Sequence, residues 1–452
     1  MKKIGITSPE DFLYAIATII LGVYISLILI VTLLQNLGIE LSYQVRFILL
    51  PLNLQFPFLL LLCVLLMYSS VLVWLIMGIA SLFYRKKKDL ILLRSTPYLI
   101  SVIIPAHNEK RVIKNILLDL IKQKYRRLEI IVVAHNCTDS TIKIAKTIKD
   151  PRIKIIKYHS RESGKGLALN KGLKYASGEI IAQFDADNRI KDPFFFNRAI
   201  VYFLKDKQIT AIQSTLLTSN SKGYLLSFLQ EIEYDIFSSI SWTGRSVLNL
   251  PCFLAGTGIL VKKQVLERIG GWSNSLVEDF ELFTRLTLKR KKIIYADNLC
   301  VLDEKPITWS AIMKQRSRWI KGHLGVTWKY IDQLGNWLDY IYRLSPLAVF
   351  AWWMSNLLYI FYLFTGQISI VNINSWIWIG WTLFFFLIMT ITVWKKRGPK
   401  RIIYLPLYWI FGFHWFFVVL YSLGVKNWSE TKTTHFGTLL SEVNAQAKGG
   451  AN

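Results

Sequence analysis

Acidic side chains are few in this chain: 29 Asp and Glu against 55 Lys and Arg, a formal net charge of +26. Cysteine is scarcer still. Cys63, Cys137, Cys252 and Cys300 show neither metal-ligand spacing nor a pairing pattern. That excludes a zinc module and a disulfide framework, and it fits a reducing compartment. Charge is missing altogether from four long stretches: Phe12 to Leu34, Phe47 to Tyr84, Leu344 to Trp394 and Ile402 to Val425. With 53% hydrophobic residues, 14% aromatics and 16 Trp, an ordinary soluble protein is excluded as well. About 20 apolar residues make a helix that crosses the hydrocarbon core. The first block is one span, and the second holds one, roughly Pro57 to Leu82. The third is long enough for two, divided by the polar waist Gly366 to Asn374. No small-residue cleavage site follows Leu34, so the first block reads as an anchor rather than a cleaved signal.

The basic residues set the orientation. Lys2 and Lys3 precede the first span, Arg85 to Lys88 follow the second, and Lys395 to Arg401 follow the third block. The loops Gln35 to Arg46 and Gly366 to Ile373 are nearly free of Lys and Arg. By the positive-inside rule the N-terminus and everything from Arg85 to about Arg343 are cytoplasmic. The expected location is the plasma membrane, with several crossings. Excess positive charge suits an anionic leaflet and anionic substrates. Nucleic acid fits poorly, because the basic residues cluster beside the spans and no nucleic-acid motif is present.

Between the spans lies a block with the rhythm of an α/β domain. Apolar runs at Tyr98 to Ile104, Leu128 to Val133, Ile153 to Tyr158 and Glu179 to Ala182 alternate with helical patterns. Further strands are expected at Ile212 to Thr215, after Gly258, and at Lys292 to Ala296. Such alternation predicts a mostly parallel sheet covered on both faces. Ligands of these sheets bind beyond the carboxyl ends of the strands. Asn108 and Glu109, Asp139, Lys165, and the pair Asp185 and Asp187 all fall at those ends or at the start of the next helix.

The residue types there suit a nucleotide. Glu109 and Asp139 offer acceptors to a base or ribose. Lys165, between Gly164 and Gly166 at a helix start, offers a cation and free N–H groups to phosphate. An Asp-x-Asp pair suits Mg²⁺ or Mn²⁺, hard ions that also take phosphate oxygens. Each feature has an ordinary alternative: Asp139 and Ser163 as helix N-caps, Gly164 and Gly166 as turn residues, Glu278 and Asp279 as carboxylates at a helix start. Four coincidences at one sheet edge favour the functional reading. Gly223 to Trp242 is amphipathic and mildly acidic, and either lies against the membrane or packs on the domain. In Gln315-Arg316-Ser317-Arg318-Trp319 the two arginines cannot share a helix face. One is expected to face phosphate and the other lipid head groups.

Together these motifs resemble the processive, membrane-embedded family 2 glycosyltransferases, the cellulose, hyaluronan, chitin and poly-N-acetylglucosamine synthases. The likeness covers about residues 98 to 325, with the motifs in family order: Asp139, then Asp185 and Asp187, then Glu278 and Asp279, then Gln315, Arg318 and Trp319. It implies a GT-A, Rossmann-like cytosolic domain inserted between N- and C-terminal transmembrane helices. The expected division is 1–84 two spans, 85–310 catalytic domain, 311–343 interface helices, 344–425 transmembrane or re-entrant helices, and 426–452 a gating-loop-like segment and polar tail.

The resemblance also implies roles. Glu109 and Asp139 contact the uridine, Lys165 sits by the nucleotide, and Asp185 faces the nucleoside. Asp187 binds Mg²⁺ or Mn²⁺. Asp279, beside Glu278, is the general base. Arg318 steadies the leaving diphosphate, Trp319 stacks on the acceptor sugar near Gln315, and Gly256 and Thr257 line the acceptor pocket. Trp428, Thr431 and Lys432 resemble the loop that covers UDP, which requires them to be cytoplasmic. Ile402 to Val425, with Pro406, Gly412 and His414, is therefore expected as a re-entrant or interfacial pair of short helices. Where many members have Asp-Asp-Gly-Ser, this chain has Ala134-His135-Asn136-Cys137, so Asp139 is the one carboxylate of that loop. The implied activity is inverting transfer from a UDP-sugar to a growing β-linked glycan that leaves through the enzyme's own spans. The alternative is addition of one or a few sugars to a lipid acceptor.

Overall fold

The computed structural model describes residues 72–86, 98–333, 383 and 386–425. The expected span Phe12 to Leu34, most of the third apolar block, and Trp428, Thr431 and Lys432 lie outside the described residues.

Seven strands form one sheet: β1 (Ile100–Ala106), β2 (Leu128–His135), β3 (Ile153–Tyr158), β4 (Ile180–Gln183), β5 (Ile209–Thr218), β6 (Ile259–Lys262) and β7 (Lys292–Asp303), in the order β3-β2-β1-β4-β6-β5-β7. The apolar runs of β1, β2 and β4 are buried on both faces, as parallel strands between helical layers must be. The edge strand β3 shows Lys154 and Lys157 to solvent, which protects its open backbone from pairing with another chain.

The expectation of a mostly parallel sheet holds for β3, β2, β1 and β4, and for β5 with β7. It fails at β6, which runs antiparallel to both β4 and β5. An apolar run announces a strand but not its direction. The reversal matters: the residues before β6 arrive at the edge where the other strands end.

Helices cover the sheet and extend from it. α1 (Leu72–Leu82) precedes the domain. α2 (Ile113–Ile121), α3 (Thr141–Lys146), α4 (Lys165–Leu173) and α5 (Phe195–Lys205) link β1 to β5. α6 (Leu225–Phe237) continues through a π-helical turn into α7 (Thr243–Val247), and α8 (Lys263–Arg268) follows β6. α9 (Glu278–Leu288) precedes β7, and α10 (Trp309–Lys329) follows it. Then come α11 (386–397), a 3₁₀ segment (Pro399–Tyr404), α12 (Leu405–Gly412) and α13 (His414–Ser422).

α1 docks through Val73 and Met77 on a cluster shared with Ile232 and Ile236 of α6, Met389 and Val393 of α11, and Leu405. The acids of α6 meet the basic cluster expected to flank the third block: Lys396 and Arg397 reach Asp235 at 2.9 and 2.6 Å, and Arg401 reaches Glu231 at 2.8 Å. Trp242 enters the domain core and Tyr234 and Phe237 pack against it, so Gly223 to Trp242 packs on the domain as well as on these helices.

Pro399–Ser422 is the one helix among the described residues long and apolar enough to cross a membrane. Phe413, between α12 and α13, keeps helical dihedrals (φ −68°, ψ −17°), so the chain does not turn back there. Of the expected re-entrant or interfacial pair of short helices, the two short helices are present and run on as one rod, because neither Pro406 in the first turn nor Gly412 reverses the backbone. The rod lies along α6 and α10 from Arg401 to Val419, about 27 Å at 1.5 Å per residue. Its other face exposes Ile403, Tyr404, Leu407, Leu420, Tyr421 and Leu423.

At the edge of the sheet opposite the strand ends, Glu129 ties three segments together. Its carboxylate accepts from Ser101 Oγ, the backbone N–H groups of Ser177 and Gly178, and Lys154 Nζ at 3.0 Å. Burial would raise its pKa, but the bonds from Ser101, Ser177 and Lys154 outweigh it and hold the carboxyl below its ordinary value. Its contribution is thus complete above the unfolded value of about 4.3 and is lost as pH falls through the lower folded value. Glu129→Ala is expected to lower stability by about 2–4 kcal/mol, read as a lower thermal midpoint at neutral pH, with the difference from wild type shrinking on acidification.

Candidate active site

β4 delivers the acidic turn. Phe184, fully buried edge-to-face against Phe195 and Phe196 of α5, anchors the chain before Asp185. The turn is then closed by Asn188, whose Oδ1 accepts from the Asp185 N–H at 2.9 Å, while Thr257 Oγ1 accepts from the same N–H at 3.1 Å. Lys165 opens α4 beside it. Its Nζ lies 2.6 Å from Asp185 Oδ1, 2.8 Å from the Gly256 carbonyl and 3.4 Å from Glu278 Oε1. Gln183 Nε2 donates to that same Gly256 carbonyl at 2.6 Å. One ammonium therefore joins the end of β4, the turn before β6 and the start of α9.

The glycines beside Lys165 have a reason other than a phosphate cradle. A Cβ on Gly164 would run into the Asn274 side chain, and one on Gly166 into the Ser273 carbonyl. They permit the segment before α9 to lie directly on α4. Gly256 is positive in φ (+76°), and a Cβ there would sit 3.2 Å from Asp279 Oδ2.

The electrostatics follow from burial among like charges. Burial would lower the Lys165 pKa, but Asp185 and Glu278 outweigh it and keep the ammonium charged. Burial, then the neighbouring Glu278 carboxylate, push Asp279 up to about 7, against the pull of Lys165 and Arg318. Burial likewise raises Asp185, with Lys165 opposing. A carboxylate poised near neutrality can take a proton at physiological pH.

α10 closes the site from the other side. Gln315, Arg318, Trp319 and Gly322 recur at helical spacing on one face. Arg318 Nη1 donates to the Leu276 carbonyl at 2.8 Å, and its charge is felt by Asp279. Trp319 is partly buried against the main core. A Cβ on Gly322 would come within 2.7 Å of Val277, so the helix presses on the segment leading to Asp279.

The expected residues fall into two groups. Lys165, Asp185, Gly256, Glu278, Asp279 and Arg318 come together, and Asp187 is buried in the same turn at 8% exposure. Glu109 and Asp139 meet at the ends of β1 and β2. Asp139 accepts there from the N–H of Thr141 at 2.9 Å and of Lys110 at 3.2 Å, and the Glu109 N–H donates to Thr141 Oγ1 at 2.8 Å. Burial would raise the Asp139 pKa, but the bonds from Thr141 and Lys110 hold it below the usual carboxylate range. Asp139 thus ties the two loops, close to its ordinary reading as a capping residue.

Thr257, expected at the acceptor pocket, is only 3% exposed, and its hydroxyl bonds Asn188, so it braces the Asp185–Asn188 turn. One expectation is corrected. Arg316 does not face lipid head groups. It is fully buried, paired with Glu233 of α6 and with His414 of α13. Sequence reasoning missed Asn188, Glu233, Gly322 and His414 as contributors. The one visible signal was the pair of arginines that cannot share a face.

The comparisons agree with this geometry. Residues 97–322 match the model of the family described as "Glycosyltransferase like family 2". The chain is 29% identical over 355 residues to a probable glycosyltransferase, YdaM, of Bacillus subtilis, covering 72% of this chain and 82% of that protein. It is 29% identical to a beta-monoglucosyldiacylglycerol synthase of Nostoc over 50% of this chain and 49% of that one. It is 26% identical to a poly-beta-1,6-N-acetyl-D-glucosamine synthase of Staphylococcus aureus over 49% of this chain and 54% of that one. It thus spans about half the length of these last two relatives. The mannosyltransferase PcManGT of Pyrobaculum calidifontis, solved with GDP-Man and Mn²⁺, shares the fold, with a TM-score of 0.51 at 18% identity over 75% of this chain and 100% of that one. With the family model matched over half its length, and its acidic and basic residues gathered at one sheet edge, the chain belongs to the family 2 glycosyltransferases.

Proposed function

We propose that this transferase moves a sugar from a UDP-sugar to the hydroxyl of a growing β-linked glycan, and that the product leaves through the enzyme's own membrane spans. The observation that carries the reading is Asp279: a half-buried carboxylate near neutrality, beside Lys165 and facing the helix that bears Arg318 and Trp319. Asp279 takes the acceptor proton, the acceptor oxygen attacks the anomeric carbon, and the bond from that carbon to the UDP oxygen breaks. One displacement inverts the anomeric centre. Lys165 and Arg318 supply positive charge where the diphosphate departs.

A divalent cation, Mg²⁺ or Mn²⁺, fits the turn. Asp185 and Asp187 offer hard oxygens, and no three His, Cys, Asp or Glu side chains form a complete cage among the described residues. Such ions often keep one or two carboxylates and take the rest of their ligands from phosphate and water. Asp187, with Asp185, would hold the ion, whose chemistry is to neutralise the leaving diphosphate.

The polymer reading rests on the motif of Gln315, Arg318 and Trp319 at the site and on the likeness to a poly-N-acetylglucosamine synthase. The likeness to a glucosyldiacylglycerol synthase favours the second reading, a lipid acceptor. The membrane reading is supported by the apolar faces of α1 and of the rod Pro399–Ser422. The rod runs beside α6 and α10, which carry buried acids and many cations, so it fits a place in the plane of the cytoplasmic interface better than a crossing. Residues after Val425 then remain with the catalytic domain in the cytoplasm. A tag after Asn452 should be digested by protease added from the cytoplasmic side, and protection of that tag would overturn this placement.

The deciding assay is UDP release in purified membranes with Mn²⁺ or Mg²⁺, offering UDP-glucose and UDP-N-acetylglucosamine in parallel and sizing the product. Long chains support the synthase, and short organic-soluble glycolipid supports the second reading. Asp279→Asn should cut transfer roughly 10²–10⁴-fold. In the wild type the acceptor kcat/KM should rise with pH through about 7 and level off above it, because the base must be deprotonated. Asp187→Asn should remove the Mn²⁺ dependence of UDP binding measured by calorimetry, a readout independent of turnover.

A further inference from the structure

We propose that Arg316 is a positioning residue for the acceptor side of the reaction. It clamps α10 between the catalytic domain and the rod Pro399–Ser422, and so fixes where Arg318 and Trp319 stand. The idea rests on the proposed transferase reading but assigns a role to residues outside its chemistry.

Arg316 and Arg318 are two residues apart, so they leave α10 on opposite sides, about 200° around the axis. On the Arg318 side the helix touches the Leu276 carbonyl and presses Gly322 on Val277, two residues before Asp279. On the Arg316 side every neighbour belongs to another element. Arg316 Nη1 donates to Glu233 Oε1 at 2.9 Å, and Nη2 donates to Glu233 Oε2. Nη1 also donates to His414 Nε2 at 2.7 Å. His414 is therefore the tautomer that carries its proton on Nδ1, which donates to the Phe411 carbonyl at 2.5 Å. Trp415 Nε1 donates to Glu233 Oε1 at 2.9 Å, and its ring lies 4.7 Å from the guanidinium. Met313 and Ile320, one turn to either side of Arg316, pack on Val418 and Val419.

Displacement of α10 away from α6 and the rod would stretch this planar, bidentate contact and drive Gly322 into Val277, and displacement toward them would crowd Arg316 against Glu233 and His414. The fork geometry leaves little room for an intermediate position. A buried ion pair is a poor source of net stability, since apolar residues of similar volume often do as well. Its geometric specificity is the better reason for having it at this point.

That distinction gives the test. Removal of Arg316 alone leaves the partly buried Glu233 carboxylate without its counter-charge, held among the described residues only by Trp415, so Arg316→Met is expected to destabilise and is uninformative by itself. The double variant Arg316→Met with Glu233→Leu keeps volume without charge and is expected to retain the wild-type thermal midpoint. In membranes given donor and Mn²⁺, this variant should keep its donor KM within about twofold while transfer falls roughly 10- to 100-fold, as for a misplaced reacting group. UDP released per sugar incorporated should rise, because water replaces the displaced acceptor. Transfer and that ratio both at wild-type values would overturn the proposal. Hydrogen exchange of the solubilised protein needs no donor. Faster exchange confined to α10 and Leu276–Phe280 supports the clamp, and unchanged exchange there overturns it. If the wild type turned over no UDP-sugar, the functional reading would fail while the exchange result still judged the clamp.

Discussion

The site depends on one partly buried ammonium, that of Lys165. It lies 2.6 Å from Asp185 and 3.4 Å from Glu278, with Asp279 directly after Glu278 and Asp187 two residues past Asp185, and carboxylates crowded together in a partly buried site repel one another. Lys165 answers that repulsion by bonding to Asp185 and lying near Glu278. It does not neutralise the cluster. Burial, and then the neighbouring Glu278 carboxylate, keep Asp279 near neutrality. The Lys165 side chain also holds Gly256 through its carbonyl.

That arrangement needs the reversed strand. With β6 parallel, the turn holding Gly256 and Thr257 would lie at the far edge of the sheet. Antiparallel, it lies across from Asp185, where Thr257 and Asn188 brace the acidic turn and Gln183 and Lys165 share one carbonyl. Gly256 is confined both by its positive φ and by Asp279 Oδ2, so backbone conformation and catalytic geometry constrain the same position. Downstream, Asn188 Nδ2 donates to Asp303 at the end of β7, which carries the brace across the sheet.

Most of the catalytic domain was legible in the sequence because its signals are local. Apolar runs gave all seven strands, and the acids and Lys165 fell at strand ends or helix starts. What was not legible depends on partners distant in sequence. Strand direction at β6 is set by pairing. Thr257 is a small hydroxyl whose role follows from Asn188, 69 residues away. Arg316 is one cation among many until Glu233 and His414 stand beside it, 83 and 98 residues away. At Ile402 to Val425 the apolar composition serves a rod with protein on one side and exposed apolar residues elsewhere, a division that hydropathy alone does not show.

The rod and the clamp bear on the same question, how a soluble-type transferase domain is joined to apolar helices without losing its geometry. Flexible linkage would let α10 drift relative to Asp279 by more than a reacting pair tolerates. The chain instead uses α6 as a common post. One group of its acids, Glu231 and Asp235, takes the cations leading into the rod, and Glu233 takes Arg316 and Trp415. Glu231 and Asp235 share one side of that helix and Glu233 lies on another, so a single element faces both the rod and α10. The apolar cluster of α1, α11 and α12 closes around the same post. A shift of the apolar helices would therefore reach α10 through ionic contacts that favour one geometry.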